Sequence, residues 1–214
     1  MPVNLWAYAA VTVPFVATPG ISTTLVLRNS IAGGVRAGVA TTAGVNLSSI
    51  GYGLLTAFGV SMALQRWPDV WAAMRVAGVG YVAWLGLRSL WRAARAVDGG
   101  LPGRDDGTSA RRPLVADARE GFVTNVLNPS IATFYLLVIP QFIPQGAPFA
   151  ESALLLTAVH VSLAVTWHLT WATAGGSLAA VLTRARPRRL LEGAAGAALL
   201  FLAVDLGIKL FSVR

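Results

Sequence analysis

The sequence predicts an all-α integral membrane protein: six transmembrane helices in two inverted three-helix repeats, with the first and fourth helices broken. Three observations carry this expectation. Only 12% of the 214 residues are charged, against roughly 25% in soluble domains, while 55% are hydrophobic and the mean hydropathy is +0.63. The segments 1–27, 37–65, 121–150 and 152–183 contain no Asp, Glu, Lys or Arg, and about 20 apolar residues suffice to cross a bilayer. Two charge-free runs carry a proline well inside them: Pro19 in Leu5–Leu27 and Pro129 in Gly121–Ala150. Proline removes a backbone donor and clashes with the preceding helical turn. In lipid, such a break persists only where protein or a wet cavity satisfies the freed backbone groups. Two matched breaks in two halves of one chain therefore point to a transport site.

The first span, Leu5–Leu27, opens with Trp6 and Tyr8 and breaks at Pro19-Gly20. The second, within 37–65, places Ala40, Gly44 and Ser48 four residues apart, a spacing that lets helices approach closely in lipid. Gly34 and Gly38 make a similar pair at its entrance. The 22 glycines read mainly as packing positions. None belongs to a Walker-type loop ending in Lys-Ser/Thr, so direct ATP drive is not expected. The third span is Val70–Trp91, with Arg75 and Arg88 toward its ends. The fourth lies in 121–150 and breaks at Pro129-Ser130, the fifth in 152–183. The sixth, Gly193–Phe211, is interrupted by Asp205 and Lys209.

One polar stretch, Ala96–Ala118, separates the halves. Its Asp98-Gly99-Gly100, Pro102-Gly103 and Arg104-Asp105-Asp106-Gly107 are turn and linker signals. The chain thus reads as a single transmembrane domain, 1–214: repeat 1 over about 1–95, a linker over about 96–118, and repeat 2 over about 119–214. Three spans per half make the second half enter the membrane from the opposite side, the topology of an inverted repeat. A shift of 110 positions pairs Val13 with Val123, Val16 with Val126, Pro19 with Pro129, Ile21 with Ile131, Thr23 with Thr133 and Leu27 with Leu137. The proline match is the informative one, because Val- and Leu-rich helices match one another readily.

The arginines orient the chain. Arg28, Arg36, Arg92, Arg95, Arg104, Arg111, Arg112, Arg119, Arg184, Arg186, Arg188 and Arg189 fall on one side; Arg66, Arg75 and Arg214 fall on the other. The first side is expected to be cytoplasmic, with the 96–118 linker on it and both termini outside the cytoplasmic membrane of a bacterium. The net charge of +8 is then a topology signal with accompanying anionic-lipid contact, not a nucleic-acid surface. Arg88, Arg92 and Arg95 read as snorkelling to the headgroups. Trp6, Tyr8, Trp67 and Trp71 read as the outer aromatic belt and Trp91 as the inner one. The N-terminus has no basic residue before its apolar stretch and no clear cleavage site, so it reads as a retained span. The absence of cysteine excludes a disulfide framework and thiolate metal sites. No cofactor and no metal are expected.

An ordered set of residues resembles a known family. Thr18-Pro19-Gly20 is followed by Asn29-Ser30, Gly34, Arg36, Gly38 and Gly44, then by Gly80-Tyr81 and Trp84-Leu85-Gly86. After the linker come Glu120-Gly121-Phe122, Asn125, Leu127-Asn128-Pro129, Phe134-Tyr135 and Pro140-Gln141-Phe142. In this order and spacing, the chain resembles the LysE/RhtB family of bacterial amino-acid exporters. The resemblance implies proton-coupled export of an amino acid or derivative across the cytoplasmic membrane. Basic amino acids, threonine, homoserine and branched-chain amino acids are among the family's substrates. Three departures from the family's usual pattern occur: Ile21 replaces the second proline of Pro-Gly-Pro, Ser130 replaces the lysine of Asn-Pro-Lys, and Ser48-Ser49 stand near where many members carry an acid.

An amino-acid exporter must hold a zwitterion away from bulk water. A helix that restarts after a break presents free N–H groups and the positive end of its dipole to a carboxylate; a helix that ends presents free carbonyls to an ammonium. The expected substrate site is therefore Thr18, Pro19, Gly20, Ser22, Thr23, Asn46, Asn128, Pro129, Ser130 and Thr133. Asp205 and His160 are candidate proton carriers. Asp205 and Lys209 also read as an i,i+4 pair, and His160 and His168 as packing histidines; His160, Ala164, Trp167 and Trp171 fall on roughly one face of the fifth span. The expected partners are an amino-acid substrate and the lipid bilayer, with small-residue faces that permit a homodimer. A non-transporting membrane subunit and an exporter of another small solute or ion stay open as alternatives. An enzyme is not expected, since the histidines lack a nearby carboxylate in sequence and no zinc-like spacing occurs.

Overall fold

A computed structural model describes residues 3–18, 20–60, 69–96, 112–182 and 184–212. Pro19, Trp67, most of the linker, and the side chains of Trp71, Arg188 and Lys209 lie outside the described residues. Every regular element among the described residues is helical. The helices are α1 (Leu5–Ala17), α2 (Ile21–Gly33), α3 (Val35–Leu54), α4 (Asp69–Ala94), α5 (Leu114–Val126), α6 (Pro129–Thr133), α7 (Phe149–Leu182) and α8 (Ala185–Ser212). α3 runs on as a π-helix over Leu55–Val60; α6 runs on as a π-helix over Phe134–Val138 and a 3-10 turn over Ile139–Phe142.

Both expected breaks are present. α1 and α2 meet at a bend of 49°, and α5 and the run beginning at Pro129 meet at 57°. At the first, Thr18 turns extended, and both its N–H and its hydroxyl donate to the Pro14 carbonyl, at 3.0 and 2.7 Å. Gly20, also extended, starts α2. At the second, Asn128 is the N-cap of α6; its Oδ1 accepts from the Ser130 N–H at 3.0 Å. Pro129 occupies the first helical position, where its missing donor leaves nothing unpaired. Proline here starts a helix rather than interrupting one.

Neighbouring helices satisfy backbone carbonyls around the second break, as a low-dielectric setting requires. Tyr52 on α3 donates its hydroxyl to the Val126 carbonyl at 2.7 Å. Tyr81 on α4 donates to the Ser130 carbonyl at 3.1 Å. Thr56 donates to the Tyr135 carbonyl, inside the π-helical turn, at 3.1 Å. A buried apolar cluster of Tyr8, Val11, Val82, Phe134, Tyr135 and Leu156, among others, surrounds this same segment.

α3 packs along α5 and α7, α2 along α3 and α7, α1 against α7 and α8, and α4 along α8. Glycine sets the closest approaches. A Cβ on Gly44 would strike the Ala118 carbonyl, and one on Gly121 the Thr41 carbonyl, so α3 and α5 touch backbone to backbone. Gly86 and Gly196 do the same for α4 and α8, where a Cβ on either would lie 3.0 or 2.9 Å from the other's carbonyl oxygen. α4 and α8 run antiparallel: Gly86 lies beside Leu200, and at the other end Arg189 donates to the Ala96 carbonyl at 2.8 and 3.1 Å. Gly34, at φ 80°, makes the turn from α2 to α3, a conformation that glycine adopts without strain.

Three runs are long and apolar enough to cross a membrane on their own: Val35–Val60, Phe149–Ala174 and Ala185–Ile208. The two bent pairs raise this to as many as five. α4, expected as the third of six spans, does not meet that measure among the described residues. It carries Asp69, Arg75, Arg88 and Arg92, and its glycines and aromatic residues add little hydropathy. Large apolar side chains face outward, including Trp6 (88% exposed) and Phe201 (78%), as suits a chain surrounded by lipid.

Candidate functional site

The two breaks share one cavity of about 140 Å³. From the first come Phe15, Val16, Thr18, Gly20, Ile21, Ser22 and Thr23; from the second come Asn125, Asn128, Ser130 and Ile131. α3 adds Val45 and Ser49, α4 adds Leu85, Arg88, Ser89 and Arg92, α7 adds His160, Ala164 and His168, and α8 adds Leu199.

Asn125, fully buried, ties the cavity wall together. Its Oδ1 accepts from the Ser22 hydroxyl at 2.9 Å. Its amide nitrogen donates toward Ser48 Oγ (2.6 Å), Ser49 Oγ (3.1 Å) and the Val45 carbonyl (3.0 Å). One side chain thus joins α2, α3 and α5. Farther along α2 and α5, Glu120 receives Arg28 and Arg112 (3.0 Å). Asn29 donates to Thr41 Oγ1 at 2.9 Å and toward Glu120 Oε2 at 3.4 Å.

His160, Ala164 and His168 recur every four residues on α7, so they stack on one face. Both histidines are buried, and among the described residues the Nδ1 atom of each has no hydrogen-bond partner. The ring of His160 lies 4.9 Å from that of Phe134 and 5.0 Å from that of Tyr135. The expected stripe of His160, Ala164, Trp167 and Trp171 divides here: the two tryptophans pack with Val26 and Leu27 of α2 instead.

Seven of the residues expected at the site line the cavity: Thr18, Gly20, Ser22, Thr23, Asn128, Ser130 and His160. Four do not. The Asn46 amide donates to the Thr42 carbonyl within α3 at 2.8 Å. Pro129 is exposed, and the Thr133 hydroxyl donates to the Pro129 carbonyl at 2.7 Å. Asp205 is half-buried on α8, outside the cavity. Arg88 and Arg92 run the other way. Read as snorkelling residues, they also line the cavity, with Leu85 and Ser89 at helical spacing; Arg88 is exposed there and Arg92 half-buried. Arg95 follows the simpler expectation, its guanidinium 4.3 Å over the Trp91 ring. Asn125 was legible as one of the ordered residues that carry the resemblance, inside a charge-free run, but not as a site residue. Among the described residues, no cluster of His, Cys, Asp or Glu could hold a metal ion.

A helical bundle in which two bent apolar helix pairs surround one cavity defines a polytopic membrane protein of the transporter class. Residues 13–210 match the model of the LysE type translocator family; the chain belongs to that family and is a transport protein rather than an enzyme. It is similar to an uncharacterized membrane protein of Bacillus subtilis, at 24% identity over 78% of this chain and 80% of the relative. A second uncharacterized membrane protein, from Pseudomonas aeruginosa, is 26% identical over 97% and 94%. The leucine efflux protein of an Enterobacter strain is 26% identical over 75% and 73%. No solved structure matches the chain.

Proposed function

We propose that this protein exports a neutral amino acid or amino-acid derivative with an apolar side chain across the cytoplasmic membrane, and that the cavity between the two breaks is its substrate site. The observation that carries the reading is the convergence of Thr18 and Gly20–Thr23 with Asn128, Ser130 and Ile131 on one cavity. Its volume of about 140 Å³ equals that of roughly five liquid waters at about 30 Å³ each, room for a mid-sized amino acid. Polar groups from Ser22, Thr23, Asn128 and Ser130 sit beside apolar Phe15, Val16, Leu85, Ile131 and Leu199. No Asp or Glu is among the described residues lining it, which disfavours a second positive charge on the substrate. The similarity to proteins named for leucine efflux supports the same class.

The arrangement that goes with this function is six spans in two inverted repeats. The bends of 49° and 57° at matched places support it, as does the antiparallel pairing of α4 with α8, the last helix of each half. The arginine distribution supports a cytoplasmic linker and outward termini. Coupling is proposed to be to protons, with His160, one of the two histidines that line the cavity, as the candidate carrier.

Efflux from preloaded cells of a labelled panel of leucine, isoleucine, methionine, threonine and lysine tests the reading. The expected result is faster export of the apolar members than from cells lacking the chain. Equal rates for the whole panel in both cell types would rule it out.

A further inference from the structure

We propose that Arg88 is the specificity-determining residue that recognises the substrate's carboxylate, so that the cavity accepts solutes with a free carboxylate and rejects the corresponding amides. The inference rests on the export reading and sharpens it.

Three observations converge on Arg88. It lines the cavity shared by the two breaks, on the face of α4 that also presents Leu85 and Ser89. Its guanidinium lies 4.9 Å over the ring of Trp84, one turn back. That contact stiffens a long side chain and leaves its hydrogen-bonding edge open, since a guanidinium stacks through its face and donates through its rim. And no Asp or Glu is among the described residues that line the cavity with Arg88.

A cation lining a cavity attracts an anion even where, as at Arg88, the side chain is itself exposed. Arginine suits a carboxylate in particular, because its planar fork can donate two parallel hydrogen bonds to the two oxygens. An amide presents one acceptor and a donor to that fork, and loses both the charge and the bidentate match. The rest of the cavity is apolar or neutral, with two histidines but no acid, so selection by charge falls to the carboxylate end of the solute. Arg92, one turn farther on, lines the same cavity but takes part in an interaction of its own; Arg88 is the one positioned by an aromatic ring.

The competing source of anionic groups is lipid, whose headgroup phosphates a guanidinium also binds. The test therefore compares wild type, Arg88→Gln and Arg88→Lys in vesicles of phosphatidylcholine alone and of phosphatidylcholine with phosphatidylglycerol. Transport of labelled leucine is competed by unlabelled leucine, 4-methylpentanoate or leucinamide. Thermal stabilisation of the purified full-length protein in neutral detergent by the same solutes gives a readout independent of transport. For wild type, leucine and 4-methylpentanoate should compete and stabilise, and leucinamide should not. Arg88→Gln should weaken leucine by roughly tenfold to a hundredfold, as loss of a charge-assisted hydrogen bond does, and should erase the discrimination against leucinamide. Arg88→Lys, which keeps the charge without the fork, should fall between and still prefer the carboxylate. The discrimination ratio is the deciding quantity, since a purely structural role would change amount or stability and leave it alone.

Leucine transport with unaltered discrimination in Arg88→Gln overturns the assignment while the export reading stands. So does an Arg88 effect confined to vesicles with phosphatidylglycerol, which would place the guanidinium on lipid. A wild-type protein that neither transports nor is stabilised by any carboxylate solute overturns both.

Discussion

Ser22 and Asn125, 103 positions apart in the chain, are joined by a hydrogen bond of 2.9 Å from the serine hydroxyl to the asparagine Oδ1. The bond links the first turn of α2 to the last turn of α5, the two helix ends that flank the cavity from opposite halves. Removing each partner should have unequal effects. Ser22→Ala deletes one bond, and interhelical hydrogen bonds in membrane proteins average about 0.6 kcal/mol. Asn125→Ala also withdraws the donor from Ser48, Ser49 and the Val45 carbonyl. It should cost about 2 kcal/mol or more, given about 1–3 for each buried group left unsatisfied. Thermal unfolding in detergent checks the order: Asn125→Ala well below Ser22→Ala, with Ser22→Ala near wild type.

Tyr52→Phe isolates a single freed carbonyl. The Val126 oxygen accepts from the Tyr52 hydroxyl at 2.7 Å, and phenylalanine keeps the ring while removing the donor. A loss of about 1–2 kcal/mol is expected, read as a lower melting temperature. Accessibility at Leu127, probed by cysteine labelling in this otherwise cysteine-free chain, should rise with it.

The approach of α3 to α5 depends on Gly44 and Gly121, where an added Cβ would meet a backbone carbonyl of the facing helix. Backbone cannot swing aside as a flexible side chain does. Gly44→Leu and Gly121→Leu should each reduce folded protein in the membrane by severalfold, whereas Gly51→Leu, where nothing lies in the way, should be tolerated. Fluorescence-detected size exclusion of tagged protein measures this.

Arg28 and Glu120 pair between α2 and α5, and Arg112 shares the same carboxylate. The side chains are partly exposed, so the pair should contribute about 1 kcal/mol or less. A double-mutant cycle with Arg28→Gln and Glu120→Gln should return a coupling of that size. Exchanging the two charges should restore most of the loss from either reversal alone.

The parts legible in the sequence were those that local chemistry dictates. A proline in a charge-free run has few explanations, and both bends fall at the breaks expected from Pro19-Gly20 and Pro129-Ser130, between Ala17 and Ile21 and between Val126 and Pro129. Gly44 was legible as a close-approach position because small residues recurred at helical spacing. What a neighbour decides was not legible. Arg88 and Arg92 have the spacing of snorkelling arginines, and only the packing of α4 turns them to the cavity. Asn46 and Asn125 look alike in apolar runs; one bonds within its own helix and the other bridges three. The division of the α7 stripe between cavity and α2 likewise depends on which helix lies beside it.

The substrate site proposed at the two breaks is tested most directly by leucine export from preloaded cells carrying wild type, Asn128→Ala or Asn128→Ser, each normalised to protein in the membrane. Asn128 caps α6 and lines the cavity at once. Serine can keep the cap but removes the amide, so it separates the two roles. Wild type should export above cells lacking the chain, and both variants should fall to a small fraction of that rate. Export by both variants at the wild-type rate, or by wild type no faster than by cells without it, would contradict the proposal.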